Sequence, residues 1–322
     1  MELEEFLEQW HNDQPTIEVQ TSGSTGRPKK MLVEKRRMEA SARITCQFLG
    51  LHEGDTALLC MPLDYIAGKM MVVRALTCNL QLVSLKPTSH PMKDLAEVPT
   101  FAAMVPMQVY NSLLVPEERE RLQQIKHLII GGGAIDDAMA KELKTFPNAV
   151  WSTYGMTETL SHIALRRLSG KKASKWYTPF PSVGIRLSRS GCLVIDAPEV
   201  AEKTVRTHDL AEIKNGRFRI LGRTDNAIST GGVKVLAEEI EQKLRKHLRV
   251  PYLITKRKSD RFGEVVVMLV ETKCVGWVKD ICQARLPEFW RPRVYIPVDH
   301  IPLTETGKPA RKKAEKMAAA PK

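Results

Sequence analysis

The stretch "HLIIGGGAIDDAMAKELKTFPNAVWSTYGMTE", residues 127–158, decides the fold. "HLIIGG" (127–132) is an apolar run of strand length that stops on glycines. Residues 136–145 carry helical spacing, and "NAVWSTY" (148–154) returns to a strand composition. Strand, glycine loop, helix and strand make one parallel βαβ unit. The same alternation extends towards the N-terminus. Strand-like runs occur at "TALLCM" (56–61), "QLVSL" (81–85) and "TFAAMVP" (100–106), with helical stretches at 35–49, 68–77 and 107–114. Residues 2–11 read as a helix and "IEVQ" (17–20) as a strand. The expected fold class is α/β, a large N-terminal domain with a mainly parallel, helix-covered sheet. Ligands of such sheets bind beyond the carboxyl ends of the strands. The loops after "QTSG", "LIIGGG" and "WSTYG" are therefore the candidate site.

From about 180 to 222 the pattern changes to short strands with Gly and Asp turns ("GCLVID", "LAEI", "RFRIL"), the expectation for a small β-rich subdomain. Beyond "GRTDN" the chain reads as helix 237–247, strands 251–256 and 264–271, helix 276–285 and a strand near 293–297. That is a smaller α+β C-terminal domain. The expected division is 1–222 and 223–322. The densest basic run, "KPARKKAEK" (308–316), reads as a solvated tail.

Hydrophobic residues are 43% and charged ones 27% of the 322, a globular balance long enough to bury a core. No run has the apolar length of a membrane-spanning helix, so no membrane insertion is expected. "MELEEFLEQW" is acidic and amphipathic rather than a secretory signal. Six scattered cysteines without a C-x-x-C pair fit a reducing, cytoplasmic setting. The net charge of +12 raises nucleic-acid binding. Yet aromatics are only 6% and none interleave with a basic stretch, so no nucleic-acid partner is expected and a small polyanion is favoured.

Several short stretches carry chemistry. "TSGSTGRPKK" (21–30) concentrates hydroxyls, glycines and cations. Thr21, Ser22, Gly23, Ser24, Thr25 and Gly26 allow backbone N–H groups to converge on an anion, and Lys29 neutralises it. The stretch is not a Walker loop, because no Gly-Lys-Ser/Thr follows; a flexible basic linker is the plain alternative. Gly131, Gly132 and Gly133 would let a flat ligand lie on bare backbone, or simply make a tight turn. In "YGMTE" (154–158), Tyr154 offers a stacking face, Thr157 a hydroxyl for phosphate, and Glu158 a carboxylate for Mg²⁺. Asp209 in "THDL" suits a ribose diol. Arg223 and Asp225 lie at the expected domain boundary, Gly231 and Gly232 follow, and Lys308 sits on the turn of "PLTETGK". Each of these has an ordinary surface or turn reading when taken alone.

Their order is what separates the readings. Together they resemble the adenylate-forming superfamily of acyl- and aryl-CoA ligases, luciferases and adenylation domains, over about residues 17–312. "MPLDYIAG", "GGGAI", "YGMTETLSHIALR", "GCLVIDAP" and "TGGVKV" are similar to the o-succinylbenzoate–CoA ligase family, in a short form. The resemblance implies ATP, Mg²⁺ and coenzyme A, and a carboxylic acid substrate, o-succinylbenzoate, in the acyl-CoA step of menaquinone synthesis. Another aryl- or acyl-CoA ligase, and a catalytically impaired nucleotide-binding homologue, are the alternatives. It assigns catalysis to Lys308, Thr157 and Glu158, the last also as metal ligand. It places the phosphate loop at residues 21–29, adenine and ribose at Tyr154 and Asp209, and the hinge at Asp225. Arg223 would stay near the nucleotide, and Gly231 and Gly232 would admit the pantetheine arm. Residues 223–322 would form a mobile lid. Arg166, Lys69 and His162 are the candidates for the second carboxylate. The resemblance is compatible with a homo-oligomer. Three features depart from the family pattern: only 20 residues precede the phosphate loop, so the N-terminal domain is either naturally abbreviated or lacks part of its first subdomain; Asp64 and Tyr65 stand where the family often has an aromatic and a His; and His208 replaces a Gly before Asp209.

Overall fold

A computed structural model describes residues 1–20, 30–133, 135, 137–304 and 308–319. The chain starts α1 (Leu3–His11), β1 (Thr16–Gln20), β2 (Lys30–Glu34), α2 (Lys35–Leu49), β3 (Thr56–Leu59), α3 (Ile66–Thr77) and β4 (Gln81–Ser84). It continues β5 (Phe101–Met104), α4 (Pro106–Leu114), α5 (Pro116–Gln124), β6 (His127–Ile130), α6 (Asp137–Leu143), β7 (Ala149–Gly155), β8 (His162–Arg167) and β9 (Thr178–Pro179). Then come β10 (Gly184–Leu187), β11 (Cys192–Asp196), β12 (Val205–Lys214), β13 (Arg217–Arg223), β14 (Ala227–Thr230) and β15 (Val233–Leu236). The last elements are α7 (Ala237–Leu244), β16 (Tyr252–Ser259), β17 (Gly263–Val270), α8 (Gly276–Arg285), β18 (Val294–Pro297) and α9 (Arg311–Ala319).

The large sheet has seven strands in the order β4-β3-β5-β6-β7-β8-β9. Its first five are mutually parallel, and β8 and β9 add antiparallel at one side. Side chains of the central strands alternate between two apolar layers. Phe101, Ala103 and Ile129 join the layer containing Phe6, Met38 and Phe218, whereas Ala102, Met104, Leu128 and Ile130 face Met92, Leu122 and Phe146. Burial on both faces is why these strands read as continuous apolar runs. The chain passes from β3 to β4 on one side and then crosses back to β5 on the other. The strand order therefore reverses at β3, and a crevice opens beyond the carboxyl ends of β3 and β5.

The second sheet, β10-β11-β12-β13, is antiparallel, and the third, β15-β14-β17-β16, carries β18 parallel on β17. The α/β class with additional β-rich and α+β parts is therefore what the chain adopts. One sheet ends at Arg223 and the next begins at Ala227.

Three readings of the sequence need correction. The basic run 308–316 is no solvated tail: α9 begins within it and buries Ala314 and Ala318 completely against the third sheet. Small residues four apart give that helix a flat apolar face that composition hides. Helix α5 and strand β2 were not expected, because "PEERERLQQ" and "KMLVE" each bury few residues. Pro106 does not end a strand but starts α4, a position where its missing N–H costs nothing. Gly231 and Gly232 form the two-residue turn of the β14–β15 hairpin, both at positive φ (57° and 81°), a geometry that favours Gly-Gly whether or not a ligand passes it.

Candidate functional site

The crevice at the strand ends is a cavity of about 490 Å³, a size suited to a small organic ligand. Every strand-end loop of the parallel part contributes to it. Cys60, Met61 and Pro62 follow β3; Met104 and Val105 end β5; Gly131 and Gly132 follow β6; Thr153, Gly155 and Met156 end β7. Ile66 and Ala67 of α3, Ile129 and Leu160 make most of the wall apolar. Gly131 has no room for a side chain: a Cβ there would lie 2.5 Å from Thr153 Oγ1. Leu160 holds a positive φ of 63° at the cavity wall, a strained conformation for a branched residue.

Two polar constellations accompany this space, the first reached through Tyr154, which stands in the chain between the lining residues Thr153 and Gly155. In the first, the Tyr154 hydroxyl donates to Asp209 Oδ2 at 2.6 Å, and Arg223 Nη1 donates to Asp209 Oδ1 at 2.7 Å. Arg223 Nη2 reaches Asp225 Oδ2 at 2.9 Å, and His208 Nδ1 lies 3.0 Å from Asp225 Oδ1. Four of the residues singled out in the sequence thus form one network. Burial and the neighbouring Asp209 carboxylate raise the Tyr154 pKa. Burial opposes the Arg223 charge, but Asp225 and Asp209 outweigh it and raise the pKa. Behind them Phe218, fully buried, packs edge-on to Tyr154 with centroids 5.0 Å apart and stacks on Tyr177.

The second constellation centres on Arg74, which lines the cavity and is 2% exposed. Its Nη2 donates to Ser161 Oγ at 2.6 Å, while its buried Nε has no partner. Among the described residues Arg74 pairs with no carboxylate. Burial pulls its pKa down to about 10, so it stays charged at neutral pH. Ser161 Oγ is 3.2 Å from His162 Nδ1, and His162 Nε2 is 3.2 Å from Thr45 Oγ1 of α2. Burial, and secondarily Arg74, holds the His162 pKa well below its usual value, so the ring is neutral. On the other flank of Arg74, Cys46 and Cys78 share a hydrogen bond. That contact first, then Arg43 and Arg74, brings the Cys78 pKa down to about 7, whereas the same contact and burial push the Cys46 thiol up against the pull of Arg74.

Thr157 and Lys308 also line the cavity. Burial lowers the Lys308 pKa. Glu158 follows Thr157 in a short 3-10 turn, exposed and without an ion-pair partner among the described residues. Gly133 lies just past the cavity wall against Pro106, and Gly231 and Gly232 are not part of the wall. Thr21, Ser22, Gly23, Ser24, Thr25, Gly26 and Lys29 fall outside the described residues. Of the three candidates for a second carboxylate, only His162 lines the cavity. Lys69 Nζ donates to the Glu18 carbonyl at 2.6 Å, and Arg166 sits 5.3 Å over the Tyr177 ring.

Arg74, Ser161 and Thr45 escaped the sequence reading. The signal for Arg74 is visible afterwards: in "IAGKMMVVRALT" the helix is apolar on every side, and eight successive residues from Gly68 to Ala75 are buried. A cation inside such a run is costly unless it serves an anion.

The profile of the AMP-binding enzyme family matches residues 4–205. A 2-succinylbenzoate–CoA ligase of Haemophilus influenzae is 25% identical over 333 residues, spanning 92% of this chain and 70% of its own. A D-alanine–D-alanyl carrier protein ligase of Staphylococcus epidermidis is 28% identical, over 96% of this chain and 72% of its own. Among solved structures, an acyl-CoA synthetase (AMP-forming)/AMP-acid ligase II-like protein of Dyadobacter fermentans is 30% identical, with a TM-score of 0.66 over 98% of this chain and 93% of that one. No helix among the described residues is long and apolar enough to cross a membrane.

Proposed function

Because the chain belongs to the AMP-binding enzyme family, we propose that it joins a carboxylic acid to coenzyme A through an acyl-adenylate, with o-succinylbenzoate as the acid. The observation that carries the choice of acid is Arg74, a buried cation with no carboxylate partner among the described residues, at the wall of a mostly apolar cavity. An aromatic keto-dicarboxylate matches both features. Its ring fills the apolar space, and the carboxylate that does not react meets the guanidinium, a charge-assisted contact in a dry site. A simple benzoate or a fatty acid would leave Arg74 unpaired.

In the first half-reaction the substrate carboxylate oxygen attacks the α-phosphorus of ATP and pyrophosphate leaves. Both reactants are anions, so holding them together in line is most of the task. Lys308, at the cavity wall, would bridge the carboxylate and the α-phosphate. Residues 21–29 would cradle the outer phosphates, and Thr157 would bond one of them. Tyr154 would stack on the base, with Gly131, Gly132 and Gly133 bare beside it, and Asp209 would accept from the ribose hydroxyls. A single unpaired carboxylate beside the phosphates suits Mg²⁺, which takes few protein ligands, and Glu158 would hold it. When bound, the ion neutralises phosphate charge.

In the second half-reaction the thiol of coenzyme A attacks the adenylate carbonyl, and AMP leaves. Residues 223–322 would act as a lid turning at Asp225 on residues 1–222. The turn would withdraw Lys308 and bring in the Gly231–Gly232 hairpin, with Arg223 remaining at the nucleotide.

Pyrophosphate release with ATP and Mg²⁺ tests the reading, using o-succinylbenzoate, benzoate and a medium-chain fatty acid, each with and without coenzyme A. Release and thioester formation with o-succinylbenzoate alone are expected; turnover of another acid in its place overturns the choice of acid. Lys308→Ala is expected to slow adenylation roughly 10²–10³-fold. The same variant should still convert supplied acyl-adenylate to thioester. Equal loss of both steps would remove the two-position lid.

A further inference from the structure

Arg74 raises a question that its charge alone does not answer: how a guanidinium without a carboxylate partner is held in one place. The contacts around it form a chain through three elements, and the hydrogens of that chain have one consistent arrangement. Thr45 Oγ1 is 2.9 Å from the Ser41 carbonyl, which can only accept. The single hydroxyl hydrogen of Thr45 goes there, a common bond for a threonine within a helix. Thr45 therefore offers only lone pairs to His162 Nε2 at 3.2 Å, and Nε2 must carry the hydrogen. The neutral ring then has a bare Nδ1, which accepts from the Ser161 hydroxyl at 3.2 Å. With its hydrogen committed, Ser161 Oγ accepts from Arg74 Nη2 at 2.6 Å. The reverse order would leave Ser161 Oγ accepting from both His162 and Arg74, with its own hydrogen unplaced.

We infer that Thr45 and His162 are positioning residues for Arg74, holding the guanidinium at the cavity wall through Ser161 by one directed chain of neutral hydrogen bonds. The consequence follows from the absence of charge in the chain. A carboxylate in the place of Ser161 or His162 would also hold Arg74, but it would cancel the cation that the ligand needs. A neutral chain fixes the orientation and leaves the full charge for an anionic group of the ligand. Burial supports the arrangement, since a protonated His162 beside Arg74 would place two cations in a dry site. The effect on substrate choice rests on the cavity being the acid site; the direction of the hydrogen-bond chain does not.

The test uses the full chain labelled with ¹⁵N. The His162 signal is assigned by its loss in His162→Gln, and its two nitrogen shifts report the tautomer. The Arg74 guanidinium is followed through the rotation of its Nη groups, which the Ser161 contact slows. A neutral ring protonated on Nε2 is expected at pH 7. Thr45→Val, which removes the acceptor, should release the Arg74 rotation and raise KM for the dicarboxylic acid roughly tenfold or more, the cost of orphaning a buried donor. KM for ATP should stay within about twofold. Thr45→Ser, which keeps the acceptor, should restore both readouts. A ring protonated on Nδ1, a charged ring at pH 7, or a Thr45→Val variant with unchanged Arg74 rotation would each overturn the inference. The wild-type spectrum decides the direction of the chain even where a variant does not fold. If no dicarboxylic acid is activated while the spectra behave as expected, the acid assignment fails and the positioning chain stands.

Discussion

Two arginines, Arg223 and Arg74, show opposite solutions to placing a cation beside a ligand site. Arg223 sits among carboxylates, with Asp209 and Asp225 each within hydrogen-bonding distance and a side chain 39% exposed. Its charge is already answered. Arg74 is buried, holds one neutral hydroxyl, and has no carboxylate partner among the described residues. The first arrangement organises a network, in which the arginine orders Asp209 and Asp209 orders Tyr154. The second stores electrostatic attraction for whatever anion enters. A buried cation without a partner is expensive, and proteins keep one mainly where a ligand supplies the missing charge.

The comparison breaks first, and by the largest margin, at Arg74→Met. Binding of a dicarboxylic acid or its adenylate analogue should fall on the order of a hundredfold by calorimetry, the loss of a charge-assisted contact in a dry site. The melting temperature should hold or rise, because an uncompensated charge is exchanged for packing of similar volume. A large drop in melting temperature would mean that Arg74 is structural after all. Asp209→Ala should behave in the opposite way. It takes the Asp209 acceptor from the Tyr154 hydroxyl and one of the two carboxylates from Arg223, so it should cost about 1–3 kcal/mol in denaturant unfolding and weaken ATP binding.

A smaller effect separates the two regions by pH. The His162 pKa is depressed in the folded protein, so below about 6.5 the unfolded chain takes up a proton that the folded chain refuses. That contribution to stability is complete above about 6.5 and is lost as pH falls below it, by at most about 1.4 kcal/mol per pH unit. His162→Gln should flatten this part of the urea-unfolding profile between pH 6.5 and 5. The smallest expected change is His208→Ala, which removes an exposed partner of Asp225 that Arg223 already engages. Stability should move by less than about 1 kcal/mol in thermal melts. A larger shift would show that the Arg223 network depends on its exposed rim.

The two regions also differ in how far the sequence reveals them. Tyr154, Asp209, Arg223 and Asp225 fall in short motifs whose order along the chain is informative. Strand pairing of β12 with β13 brings Asp209 opposite Arg223 directly. Local pattern and ladder register thus carry that network almost unaided. The cavity end has no such motif. Thr45 comes from α2, Arg74 from α3, His162 from the start of β8 and Ser161 from the residue before it. Lys69, five residues before Arg74 on the same helix, was the more conspicuous candidate, yet its ammonium turns to the Glu18 carbonyl. Which of two cations on one apolar helix meets the cavity depends on packing, and packing is not periodic.

By itself, the sequence determined the α/β class, the strand-end location of the cavity and the residues of the Tyr154–Asp209–Arg223–Asp225 network. Each of these follows from apolar periodicity or from residues close together in a motif, and both are properties of the chain as written. Tertiary structure alone decided that the basic C-terminal run folds as a helix on the third sheet, that the Gly pair serves a hairpin turn, and that Arg74 rather than Lys69 or Arg166 lines the cavity. The reason is common to all three. A side chain's role there is set by neighbours tens of residues away, and burial converts an ordinary charge, glycine or alanine into a specific one only once those neighbours are in place.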